Sequence, residues 1–206
     1  MRKTEAIIAA GVTVATVCLT ACSEGESAGT SPTPSPTTSS SDTAAPTGQA
    51  APTVSHPLEV SSYAADPCTS LTAQQAAELE IGPQGQELHL TSGELGCSWK
   101  FGTNRGSEAQ IIYSVPESGK GLQHLYDLNA TGWFARGYFE PTVVDEYPAA
   151  FNSTSETRSQ GVCFLTVGVS SDTLLNAQVI GEAGKDNCKA ASTVAARALD
   201  TIKAGA

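Results

Sequence analysis

Apolar positions recur at every second residue in "GVCFLTVGVSSDTLLNAQVIG", residues 161–181. Cys163, Leu165, Val167 and Val169 share one side of an extended chain, because successive strand side chains point to opposite faces. Ser170-Ser171-Asp172 interrupts the run, so the segment predicts a β-hairpin. The period lengthens in "DNCKAASTVAARALDTI", residues 186–202. There Cys188, Ala191, Ala195, Ala198 and Ile202 follow helical spacing with Leu199 beside them, and Asp186 stands at the capping position. A shorter helix is predicted in "PCTSLTAQQAAELEIGP", with Thr72 as N-cap, Gln75 three residues on, and Gly82-Pro83 as the stop.

The rest of the pattern is mostly strand. "GCSWKFG" alternates Cys97, Trp99 and Phe101 onto one face, and "QELHLT" sets Leu88 and Leu90 against His89. "AQIIYSV" is a further strand, and "PTVVDEYPAAFNST" supplies one or two short ones. "GKGLQHLYDLNA" reads as a helix with Leu122, Leu125 and Leu128 near one face, weakened by its glycines. Strands outnumber helices and short turns join them. The expected fold class is α+β: an antiparallel sheet packed with an N-terminal and a C-terminal helix.

The first 60 residues follow neither pattern. Arg2 and Lys3 precede an apolar run over residues 6–18, too short for a permanent bilayer span. The run ends in Leu19-Thr20-Ala21-Cys22, which is similar to the lipobox of bacterial lipoproteins. In that motif small residues admit the peptidase, and the cysteine thiolate accepts a diacylglyceryl group. Residues 1–21 are therefore expected to be a signal peptide and Cys22 the lipidation site. This expectation places the protein on the extracytoplasmic face of the cell membrane, held by its lipid anchor. Cys18, inside the apolar run, would be discarded. Residues 22–60, rich in Pro, Ser and Thr, are expected to form a disordered linker, and residues 61–206 the globular domain.

Within the linker, Gly25-Glu26-Ser27-Ala28-Gly29 spells the G-x-S-x-G pattern of serine esterases. That motif works only on a strained turn between a strand and a helix. Here the sole preceding apolar run is the signal, and proline-rich sequence follows. Ser27 is not read as a nucleophile.

Four cysteines remain in the domain: Cys68, Cys97, Cys163 and Cys188. An even number in an exported chain reads as disulfides. Cys163 and Cys188 both belong to faces expected to be buried, so their bond would bolt the last helix to the hairpin. That leaves Cys68, just ahead of the first helix, to pair with Cys97. By loop entropy each bridge contributes roughly 3.5 kcal/mol. A metal site is disfavoured, since no C-x-x-C spacing occurs and no histidine lies near a cysteine at ligand spacing.

Asp66-Pro67-Cys68 leading into Leu71-Thr72, then Cys97-Ser98-Trp99, Gly161-Val162-Cys163 and an alanine-rich last helix bearing Cys188 resembles an actinobacterial lipoprotein family. It is known as domain of unknown function 3558, and the resemblance covers about residues 55–203. It implies an exported lipoprotein, supports the two disulfides and brings no activity.

Composition narrows the function classes. The formal net charge is −10, which argues against an electrostatic grip on nucleic acid. No cofactor fingerprint, phosphate loop or metal motif is present. The histidines, His56, His89 and His124, sit in unrelated segments, and Asp145-Glu146 reads as adjacent strand residues pointing to opposite faces. Asn129 and Asn152 match glycosylation acceptors that a bacterial lipoprotein would seldom use.

The segment "GWFARGYFEP", residues 132–141, crowds Trp133, Phe134, Tyr138 and Phe139 around Arg136, with Tyr147 and Phe151 nearby. These residues read first as core capping the sheet. If a ligand surface exists, they supply it, for an unknown protein, glycan or small molecule. A non-enzymatic binding module is preferred over the alternative of a cell-envelope hydrolase or transferase. The alternative needs a serine or carboxylate within hydrogen-bond reach of His89 or His124.

Overall fold

The computed structural model describes residues 48–102 and 106–205. The signal segment, Cys22, Ser27 and the linker up to residue 47 lie outside the described residues. In chain order the elements are α1 (Ser61–Ala65), a 3-10 turn (Pro67–Ser70), α2 (Ala73–Glu78), β1 (Gln86–His89), β2 (Leu95–Lys100) and β3 (Glu108–Ser114). Then come α3 (Gln123–Ala130), β4 (Tyr138–Val144), β5 (Tyr147–Ser153), a second 3-10 turn (Arg158–Gln160), β6 (Val162–Gly168), β7 (Leu174–Ile180) and α4 (Asn187–Gly205). This is the expected α+β class, with one antiparallel sheet of seven strands in the order β1-β2-β3-β7-β6-β5-β4.

The register separates two faces. Phe151, Leu165, Ala177, Ile111 and Cys97 stand in one row across five strands. With Trp99, Val167, Leu175 and Val179 they form the inner face, buried beneath α4. The helix contributes Ala191, Ala195, Ala198, Leu199 and Ile202, each fully buried. The small alanines let the helix axis approach the sheet closely, and Leu199 and Ile202 then fill the space between. Asp186 caps α4 as the spacing predicts, its Oδ1 accepting from the Lys189 amide at 2.9 Å.

Both disulfides pair as expected, Cys68–Cys97 and Cys163–Cys188, with Cα separations of 5.0 and 5.1 Å. One pins the turn ahead of α2 to β2, the other pins the start of α4 to β6. Beside the first bridge, Tyr113 and Ser70 share a buried hydrogen bond of 2.8 Å, and burial pushes the Tyr113 phenol well above its ordinary pKa.

Three local readings are corrected. α2 carries the expected Thr72/Gln75 capping box but stops at Glu78, short of Gly82-Pro83. Glu80 adopts φ +55°, and the Ile81 amide donates to the Ala76 carbonyl, closing the helix so that Ile81 turns into the core. Second, residues 138–153 form two full strands joined by a two-residue turn. Asp145 and Glu146 are that turn, at φ +47° and +71°, and not strand neighbours. Asp145 pairs with Lys203 in the last turn of α4. Third, the packed domain reaches back before residue 61, into sequence expected to be linker. The Leu58 amide donates to the Val169 carbonyl at 2.9 Å, Tyr147 Oη donates to the His56 carbonyl at 3.0 Å, and the Ala51 amide donates to Gln123 Oε1 at 2.8 Å. Val54, Leu58 and Val60 pack on the inner core, and that burial orders a segment whose composition alone reads as disordered.

Candidate binding groove

The strand order brings α3 to the outer face. β3 and β4 follow each other in the chain but lie four strands apart, so residues 115–137 must cross over β7, β6 and β5. This crossover carries α3, whose Leu125 and Tyr126, with Leu122 just ahead of them, pack with Phe134 and Leu174 in a second, smaller core. Phe139 closes it, edge-on to Tyr126 at 5.0 Å and stacked on Phe134 at 5.5 Å.

The end of α3 places Trp133. Gly132 takes φ +79°, its amide donates to the Asn129 carbonyl at 2.9 Å, and the Trp133 amide donates to the Leu128 carbonyl at 3.1 Å. These two bonds define a Schellman cap with glycine at its left-handed position. Phe134 then turns inward, while Trp133 stays 59% exposed. Gly137 closes the loop where a side chain would collide with the Ser153 carbonyl.

Because α3 covers only part of the outer face, a groove of about 440 Å³ remains beside it. Leu125, Leu128, His124 and the Trp133 loop form one wall, and Val115 and Pro116 another. The floor is polar. Asn152 Nδ2 donates to Thr166 Oγ1 at 2.9 Å, Thr166 Oγ1 donates to Asn176 Oδ1 at 3.0 Å, and Asn176 Nδ2 donates to Ser114 Oγ at 2.8 Å. This chain of amides and hydroxyls runs across β5, β6, β7 and β3. Only three large apolar side chains are strongly exposed among the described residues, and two of them, Val115 and Trp133, line this groove.

The aromatic segment does not act as one surface. Strand alternation sends Tyr138 and Phe139 to opposite faces. Tyr138 is buried, its hydroxyl accepting from the Phe164 amide at 3.2 Å, with the Arg158 guanidinium 4.1 Å over its ring. Phe134 is buried and Phe139 half-buried, both in the smaller core. Tyr147 and Phe151 belong to the larger one. Arg136 is exposed and borders, with Trp133, a second depression next to the groove. Of the expected aromatic surface, Trp133 alone faces solvent as a large ring.

The sequence reading missed the polar floor. Its signal is the other half of the period-two pattern: positions 152, 166, 176 and 114 alternate with the apolar ones used to assign the inner face. Asn152, read as a glycosylation acceptor, is part of this floor.

His89 and His124 do have polar side-chain neighbours. His89 Nε2 lies 2.7 Å from Glu87 Oε1 on the exposed edge strand β1, and His124 Nδ1 lies 3.3 Å from Ser118 Oγ on the surface. The carboxylate closest to His124 in sequence, Asp127, accepts from Gln123 at 2.8 Å and Lys120 at 3.1 Å, and these bonds hold it below the ordinary carboxylate range. Among the described residues no three His, Cys, Asp or Glu side chains converge as metal ligands do.

A disulfide-stapled α+β domain with one sheet face covered and the other covered only in part is the class that this architecture defines. The family model described as "Protein of unknown function (DUF3558)" matches residues 17–201, and the chain belongs to that family. No curated protein and no solved structure matches it.

Proposed function

We propose that the protein is a non-enzymatic binding module, tethered through an acylated Cys22 to the outer face of the cell membrane, and that the outer-face groove is its binding surface. The observation that carries the binding role is the pairing of an exposed, rigidly placed Trp133 with a continuous polar floor. An exposed indole leaves apolar surface in water in the free protein, and a partner that covers it gains the free energy of burying that surface. The Leu19-Thr20-Ala21-Cys22 motif supports the anchor, and the proline-rich residues behind it provide reach away from the headgroups.

Affinity capture from cell-envelope extracts tests the binding role. The native protein should retain at least one component that Trp133→Ala does not. Equal recovery by both would reject the groove. The anchor is tested separately by labelling cells with an alkyne fatty acid, where Cys22→Ser should abolish incorporation.

The Ser118–His124 contact favours a second reading, a surface hydrolase. It is weakened by the engagement of Asp127 elsewhere, which leaves the imidazole without that carboxylate to orient it. Hydrolysis of an activated ester that disappears in Ser118→Ala would establish this reading instead.

A further inference from the structure

We infer that the groove takes a neutral oligosaccharide. The inference rests on the binding role proposed above and adds the chemistry of the ligand.

The floor is uncharged. Asn152, Thr166, Asn176 and Ser114 present amides and hydroxyls, each group able to donate and accept. Sugar hydroxyls have the same dual character, so a ring laid on this row finds partners whichever way its hydroxyls point. Asn152 Oδ1 accepts no hydrogen bond among the described residues, and the proton of the Ser114 hydroxyl is likewise uncommitted there. Trp133 supplies the complementary wall, since the electron-rich indole face packs against the C–H face of a pyranose or furanose ring. The volume falls within the range of small-ligand sites.

Charge and topology disfavour an anionic ligand and a strand-adding peptide. The chain carries a net charge of −10 and the groove adds Glu94 at its margin, while Arg136 borders the adjoining depression and not the groove, so the charge at the groove disfavours an anionic ligand. A peptide that binds by strand addition is recognised through main-chain hydrogen bonds to a sheet edge. The groove lies on a sheet face, where those groups are already paired. Both edges are also poor templates: β1 has four residues, and β4 carries Pro141.

Intrinsic fluorescence of the full chain provides the test, because Trp99 is buried and Trp133 is the exposed reporter. The probes are neutral gluco-, manno- and arabino-oligosaccharides, an anionic hyaluronan oligomer and an uncharged pentapeptide. At least one neutral oligosaccharide should shift the emission saturably, and neither other probe should. Calorimetric titration of that sugar should weaken about tenfold in Trp133→Ala and in Asn152→Ala. If no neutral oligosaccharide saturates, or if binding is unchanged in Trp133→Ala, the glycan assignment falls. Saturable binding of the peptide alone, lost in Trp133→Ala, would overturn the glycan while leaving the groove a binding site.

Discussion

The two faces of the sheet are made from the same strands, yet they hold different side chains and different partners. The inner face is apolar, covered by α4 and closed by two disulfides. The outer face alternates with it residue for residue, and there Thr166, Asn176 and Asn152 replace Leu165, Ala177 and Phe151. Polar atoms on the inner face would have to be satisfied under a helix. On the outer face they satisfy one another along the row and stay available. The difference teaches that the larger core lies on the inner side, with a smaller one and the proposed recognition groove on the outer, so the groove can be perturbed with little effect on the main core.

The largest expected effect is on the inner side. Removing the second bridge with Cys163→Ala/Cys188→Ala should lower unfolding free energy by about 3.5 kcal/mol in urea melts. Trp133→Ala, on the outer side, should change it by no more than about 0.5 kcal/mol. A comparable loss in both would break the comparison.

The ends of α2 and α3 sharpen it. Both close through a left-handed residue, Glu80 and Gly132 respectively. Gly132→Ala meets no atom within 4 Å but must hold φ +79°, and should cost about 1–2 kcal/mol while displacing Trp133. Glu80→Gly relieves the same strain at α2 and should stabilise by about 1 kcal/mol, with no effect on Trp133 fluorescence.

The smallest expected effect concerns Glu108, on the outer face. Partial burial alone would raise its pKa, but hydrogen bonds from Lys100, Ser98 and Gln110 outweigh this and hold the carboxyl below its ordinary value. A depressed carboxyl contributes stability above the unfolded-state pKa, and that contribution fades as pH falls through the lowered value. Melts from neutral to acid pH should therefore show a shallower acid decline in Glu108→Gln than in the native chain.

The inner face was legible because its signals are local. Cys163, Leu165, Val167 and Val169 keep period two, the alanines of α4 keep helical spacing, and those patterns alone select both disulfides. The Thr72/Gln75 capping box is equally local. What escaped depends on distant parts of the chain. Asp145-Glu146 forms a tight turn without glycine because β4 and β5 pair along their whole length on either side of it. Residues 51–60 are ordered by contacts with Gln123, Tyr147 and Val169, which no composition window contains. The polar floor needs four strands in register before its members meet. The aromatic segment read as one cluster, since its linear crowding conceals the strand alternation that splits Tyr138 from Phe139.

Site-specific photo-crosslinking in living cells tests the assignment of recognition to the groove most directly. Val143 is an exposed valine outside the groove, at 65% exposure against 58% for the groove-lining Val115, and serves as the matched control. With a benzophenone amino acid at position 115 or 143, adducts to envelope material should form from 115 and not from 143. Equal adducts from both positions, or adducts from 143 alone, would contradict the assignment of recognition to the groove.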